Sequence, residues 1–257
     1  MRLNDKCIQR NTYQAVRPER SRRIRTQMKQ NPYSHYSDFG LTIIKNKNWH
    51  ITFRHPTFNK KQQPTGHFHQ DKLSITFGIN DIPILIDPGT YLYTANPLAR
   101  NYFRSYQNHN TFYFDEKNNL DDLFQLSRKT QIDTSKIITN KNKIIISNQN
   151  KNKLKRTLIF DNEKNFLEIH DSVINSTYKK TINWNFIFHP NVNLEKKNNS
   201  WIIKIKKKEI FQMISNLNFE KAQGFYSDGY GKIETCAKLV YRKQTPIKKI
   251  QTIFKKI

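Results

Sequence analysis

Two histidines stand two residues apart in the stretch GHFHQD, His67 and His69, and Asp71 follows them. In an extended chain, side chains at i and i+2 point the same way. Both imidazoles would then face one pocket, with Asp71 continuing their row. Asp87 ends the apolar run IPILI and precedes Pro88-Gly89, a turn that would hold it at the rim of a sheet. His109 opens a further strand pattern, HNTFYFD. Two imidazoles and a carboxylate drawn from separate strands suit a zinc site that keeps one coordination position open. Each residue also has a plain reading: a surface histidine, a turn aspartate, a cap. The ordered succession H-x-H-x-D, D-P-G, H-N points to a joint site.

Such residues meet only if strands carry them. In LSITFGI, Leu73, Ile75, Phe77 and Ile79 share one face and Ser74, Thr76 and Gly78 the other. GLTIIKNKNWHITFRH, KIITNKNKIIISN, RTLIFDNEKNFLEIHDSV and VNLEKKNNSWIIKI each read as two β runs around a polar turn. TINWNFIFHP places Ile182, Trp184, Phe186 and Phe188 on one face. No amphipathic helix longer than a few turns is evident. Many short strands with regular turns predict an all-β chain folded as an antiparallel β-sandwich.

The 257 residues are enough for a large core, and 17 Phe with 12 Tyr argue against disorder. The formal charge of +25, from 45 Lys+Arg against 20 Asp+Glu, attracts polyanions: nucleic acid, anionic lipid or acidic polysaccharide. Lys, Asn and Ile are enriched together, a compositional bias that accounts for much of this charge. No nucleic-acid motif accompanies it. Two cysteines, Cys7 and Cys236, build neither a disulfide framework nor a zinc motif. No apolar run reaches the length of a membrane-spanning helix, and the opening MRLNDKCIQRNTYQ lacks the apolar core of a signal peptide. Residues 1–37 read as a basic, unstructured arm, 38–245 as the sandwich, and 246–257 as a basic tail, either a last strand or a short helix.

The motifs GHFHQDKLSITFGINDIPILIDPGTYLY and ARNYFRSYQNHNTFYFD resemble the C-terminal domain of the heparinase II/III-like polysaccharide lyases. NWNFIFHPNV and GFYSDGYG fit later segments of the same pattern, so the likeness runs from about Tyr36 to Tyr241. The resemblance implies a β-sandwich with zinc on His69, Asp87 and His109, Asp71 being the alternative to Asp87. It puts His67 at the catalytic histidine. Tyr91, Tyr93, Arg100 and Arg104 lie between the ligands as candidate substrate-contacting residues, and Asn110 as a support for its strand.

The reaction so implied is β-elimination on a uronic-acid polysaccharide. The carboxylate is neutralised, a base takes the C5 proton, and an acid protonates the leaving O4. In that family a helical toroid domain precedes the sandwich and supplies further catalytic groups. No helical pattern here matches it, so the expected site is half a site. Activity is expected to need a separately encoded toroid, the alternative being a non-catalytic carbohydrate-binding or structural sandwich. The family is usually periplasmic or cell-envelope.

Overall fold

The computed structural model describes residues 32–55, 69–93, 95–115, 134–150, 152–174, 180–246 and 249–257. His67 and the basic arm up to residue 31 lie outside them. The first five strands, β1 (Tyr33–Tyr36), β2 (Leu41–Lys45), β3 (Trp49–Arg54), β4 (Ile75–Ile79) and β5 (Ile82–Leu85), form one antiparallel sheet in sequence order. A two-turn helix, α1 (Pro97–Arg104), and a 3-10 turn (Tyr106–Asn108) lead into β6 (Phe112–Phe114). Four strands follow: β7 (Lys136–Thr139), β8 (Lys143–Gln149), β9 (Leu154–Asp161) and β10 (Phe166–Val173). Then come β11 (Thr181–Ile187), β12 (Val192–Lys197), β13 (Ser200–Ile205) and β14 (Lys208–Ser215). The last are β15 (Glu220–Tyr226), β16 (Glu234–Gln244) and β17 (Ile250–Lys256).

Eight strands make the second sheet, in the order β12-β13-β14-β17-β10-β9-β8-β7, and four make a third, β15-β16-β11-β6. An isolated bridge between Leu85 and Phe188 joins the third sheet to the edge of the first. The Ile86 N–H donates to the Ile187 carbonyl at 3.1 Å and the His189 N–H to that of Ile84 at 3.0 Å, so the two act as one layer. That layer packs on the eight-stranded sheet as a sandwich.

The alternation in the sequence decides which faces meet. Ile75, Phe77 and Ile79 of β4 are buried, as are Ile182, Trp184, Phe186 and Phe188. Trp49 of β3 lies 5.3 Å from both Phe160 of β9 and Phe211 of β14, ring centre to ring centre. Phe77 meets Phe211 at 5.5 Å and Phe254 of β17 at 5.1 Å. Burying each such ring stabilises the fold by roughly 1.5–3 kcal/mol.

One charged pair crosses this core. Arg156 on β9 and Asp171 on β10 are register partners, and the guanidinium grips the carboxylate through Nε at 2.7 Å and Nη2 at 2.8 Å. Trp184 Nε1 donates to the same carboxylate at 3.1 Å. Arg156 Nη1 reaches into the other layer and donates to the carbonyls of Leu73 and Asn110, each at 2.7 Å. Buried charges persist only when paired and fully hydrogen-bonded. Here they clamp the approach to β4 and the approach to β6.

The structure differs from the sequence reading at one end of the domain and chooses between its two alternatives at the other. Tyr33–Tyr36, placed in the arm by its basic surroundings, pairs with β2, Tyr33 opposite Ile44. Residues 250–256, read as a basic tail that is either a last strand or a short helix, form the last strand, lying between β14 and β10 near the middle of the eight-stranded sheet. Ile250, Thr252 and Phe254 of that strand point inward, and the lysines lie on its exposed positions or at its end.

Candidate metal centre

Three turns bring the site together. His69 enters just before β4, where the Gln70 N–H donates to the Arg104 carbonyl at 2.7 Å. Asp87 follows β5, and its Oδ1 accepts from the Gly89 N–H at 3.0 Å, closing the D-P-G turn. His109 caps the 3-10 turn, its N–H donating to the Tyr106 carbonyl at 3.2 Å. The next residue fixes their separation. Asn110 Nδ2 donates to the carbonyls of Ile75 and Ile86, both at 2.8 Å, and its Oδ1 accepts from the Ile187 N–H at 2.6 Å. One buried amide thus ties the strands on either side of the site.

His69, Asp87 and His109 each offer a donor atom, and these atoms lie within 4.8 Å of one another. His109 Nδ1 and Asp87 Oδ2 are 3.1 Å apart, and the two imidazole centres 5.4 Å. Ligands held at about 2.0–2.2 Å in a tetrahedron stand roughly 3.3 Å from each other, so the His109–Asp87 spacing already fits a bound ion. His109 Nε2 is buried with no hydrogen-bond partner among the described residues, a state costing about 1–3 kcal/mol when unrelieved. Burial, then the neighbouring His109 charge, lowers the His69 pKa to about 4, which leaves that ring neutral with a free lone pair. For His109, burial works the other way from Asp87. The Asp87 charge and hydrogen bond outweigh it and raise the pKa. Burial likewise opposes ionisation of Asp87, and the charge and hydrogen bond of His109 win and lower its pKa. Its side chain is 47% exposed against 0% for His109, so the carboxylate is the solvent side of the site.

The other sequence-derived candidates distribute around this centre. Asp71 pairs with Arg54, Nε to Oδ2 at 3.2 Å, and does not join the cluster. Arg104 is buried on α1, close enough for its charge to lower the His69 pKa. Arg100 is buried one turn earlier, its guanidinium carbon 5.5 Å from the Tyr93 ring centre. Tyr93 is exposed and stacks on exposed Tyr230 at 6.1 Å. Tyr91 adopts a φ of 61° and turns toward Phe103 of α1, ring centres 5.5 Å apart. His67 lies outside the described residues.

Two features of the site escape a linear reading. Arg156 and Asp171 sit 15 residues apart in unremarkable strands, and only the β9–β10 register pairs them beneath the site. The D-P-G-T-Y turn is also locked to the distant S-D-G-Y-G loop. The Ser227 N–H donates to the Pro88 carbonyl at 2.9 Å and the Gly231 N–H to that of Tyr91 at 2.9 Å. Gly89 has a φ of +78°, and a Cβ there would stand 2.1 Å from the Ser227 carbonyl oxygen. Its place beside Asp87 in the D-P-G turn was the available signal.

No helix among the described residues is long and apolar enough to cross a membrane. A search of curated protein sequences finds no match. The fold has solved counterparts. Heparan sulfate lyase HepC from Pedobacter heparinus superposes with a TM-score of 0.68 at 16% identity, over 88% of this chain and 36% of that one. A crystal structure of heparinase III gives 0.64 at 15% identity, over 88% and 36%. The chain therefore spans about a third of the length of the lyases it resembles. The model of the heparinase II/III-like C-terminal family matches residues 28–253, nearly the whole sequence. With the sandwich that the solved lyases share, that match makes the chain a member of the heparinase II/III-like C-terminal domain family.

Proposed function

We propose that this module supplies the histidine and metal half of a polysaccharide lyase site acting by β-elimination on a uronic-acid-containing acidic polysaccharide. The observation that carries the reading is the convergence of His69, Asp87 and His109 next to the buried cation Arg104. The donor set, two imidazoles and a carboxylate, suits Zn2+. Bound there, the ion would hold the two rings in place and add positive charge beside the substrate.

The chain's own residues then act as follows. Arg104 adds to the positive potential that favours a uronate carboxylate and makes its C5 proton more acidic. His67, two residues before His69 in the sequence, takes that proton or holds the carboxylate. The C5–H electron pair forms the C4=C5 double bond, the C4–O4 bond breaks, and O4 receives a proton from an acid. That acid, and the tyrosine and asparagine or histidine of such lyases, are proposed to come from a helical toroid domain.

The test combines the metal-loaded chain with a separately produced toroid domain and follows the unsaturated product by ultraviolet absorbance. Elimination is expected only in the combination. His67→Ala is expected to reduce it about a hundredfold to ten-thousandfold. Elemental analysis should find about one metal per chain, lost in His69→Ala/His109→Ala. Full activity of the chain alone, unaffected by His67→Ala, would overturn the reading. A non-catalytic saccharide-binding role is the second reading, favoured by the exposed Tyr93–Tyr230 stack beside Arg100. It gains if the combination binds polysaccharide without cleaving it.

A further inference from the structure

The outer face of the five-stranded sheet is not flat. A concavity of about 560 Å3 opens there, within the range of roughly 300–1,000 Å3 typical of ligand sites. One end is bounded by Asp87 and Tyr226, at the metal centre. The other end is bounded by Lys45 and His50. Between them lie the Thr76 hydroxyl and the bare backbone of Gly78, with Ile82 and Pro83 as an apolar wall.

The register explains the shape. Lys45 faces His50, His50 faces Gly78, and Gly78 faces Pro83, so one transverse row crosses β2, β3, β4 and β5. The bulge between Phe77 and Gly78 draws β5 in close. A Cβ on Gly78 would stand 2.8 Å from the Ile82 carbonyl oxygen, so only glycine fits where the β5 backbone comes this close. Thr52 and Thr76 bond to each other through their hydroxyls at 2.7 Å in the neighbouring row, a polar floor for the same face. Lys45 and His50 are both exposed, free to meet a ligand in solvent.

We propose that this groove is an extended saccharide subsite, seating units of an acidic oligosaccharide beyond the one at the metal centre. Lys45 and His50 receive a carboxylate or sulfate. The inference rests on the polysaccharide reading above and adds which face of the sheet the chain follows. Three features favour a sugar chain over another occupant. The groove is continuous with Asp87, so a ligand reaching the metal can run into it. Its lining mixes hydroxyl, imidazole and ammonium groups with a small apolar wall, which suits a ring bearing both hydroxyls and C–H faces. The Lys45 ammonium stands at the end distant from the metal centre, so a charged sugar beyond the first meets a positive group there. Asp81, at the β4–β5 turn, is the one carboxylate in the lining besides Asp87. It opposes an anion and so provides a test of opposite sign.

The experiment measures binding of three hexasaccharides to the full chain by isothermal titration at low salt: heparin-derived, unsulfated polyuronate, and maltohexaose. Both acidic probes are expected to bind and maltohexaose not; the stronger of the two shows whether sulfate or carboxylate is preferred. Lys45→Ala/His50→Ala should weaken the acidic probes about tenfold. Asp81→Asn should tighten them roughly twofold to threefold. Circular dichroism and metal content should stay at wild-type values, since all three side chains are exposed. Unchanged affinity in the double variant, or no binding of either acidic probe to wild type, overturns the groove while leaving the metal centre and elimination to their own assay. An effect confined to association with a helical domain also overturns it. Weakened binding in the double variant without any elimination in the toroid-supplemented assay would sink the lyase reading and leave the groove standing.

Discussion

At the scale of single residues, the chain spends its buried charges on placement. Arg156 and Asp171 satisfy each other and also hold carbonyls at the approaches to β4 and β6. Asp171→Asn leaves a guanidinium buried against a neutral amide. Breaking such a pair typically costs about 3–5 kcal/mol. Chemical denaturation should show that loss, together with weaker metal retention, because Asn110 sits at the end of the same clamp. Arg156→Met with Asp171→Leu should recover much of the stability, since an apolar pair leaves no charge stranded.

Lys238 is another buried cation, donating to the Gln107 carbonyl. Burial lowers its pKa to about 8, with the neighbouring Cys236 opposing. The unfolded lysine keeps its ordinary value near 10.5, so between those values the unfolded chain binds more protons. Stability therefore rises with pH across that window. Burial raises the Cys236 pKa to about 11, which works in the opposite direction above pH 9. The clean interval is pH 8 to 9, where Lys238 should add about 1 kcal/mol. Thermal melts of wild type and Lys238→Met should diverge over that interval in this sense; parallel curves would show that the ammonium is not buried in solution.

At the scale of elements, β4 and β11 were legible because alternation in the sequence maps directly onto a sheet with one covered face. The convergence of His69, Asp87 and His109 was legible for a related reason. Each stands at a strand end marked by a turn or a motif, and the H-x-H, D-P-G and H-N segments carry a family likeness. Asp71 shows where spacing fails: it continues the histidine row in sequence, but Arg54 on the adjacent strand captures it. The helix α1 hid because two turns are too few for a periodic signal, though its Pro97 and the Asn96 cap mark its start. β17 was legible only as one of two alternatives, because its lysines resemble a solvated tail and apolar Ile253 between the inward Thr252 and Phe254 blurs the alternation. Its position makes it indispensable. A chain stopped after Lys249 would leave the edges of β10 and β14 unpaired. Such a chain should fail to give a cooperative melt and should aggregate. A soluble, cooperatively folded product would contradict the topology.

At the scale of the whole molecule, the charge of +25 lies on a chain whose site reading involves a polyanion. Exposed charges act over about 10 Å at 0.1 M salt and about 3 Å at 1 M. Retention on a sulfated polysaccharide matrix should therefore be strong at low salt and lost near 1 M, with no retention on a neutral one. An equally steep response to double-stranded DNA would show that the lysines attract polyanions without discrimination. The position of β17 has one more consequence, for how the protein is made. Translation delivers β7–β10 first and β12–β14 later, and nothing joins those halves of the eight-stranded sheet until residues 250–256 leave the ribosome. At about 5–20 residues per second, nascent chains carry open strand edges for seconds before closure. A premature stop codon a few codons before Ile250 would then be as damaging as one far upstream of it, and a chaperone that shields strand edges would be needed most until β17 emerges.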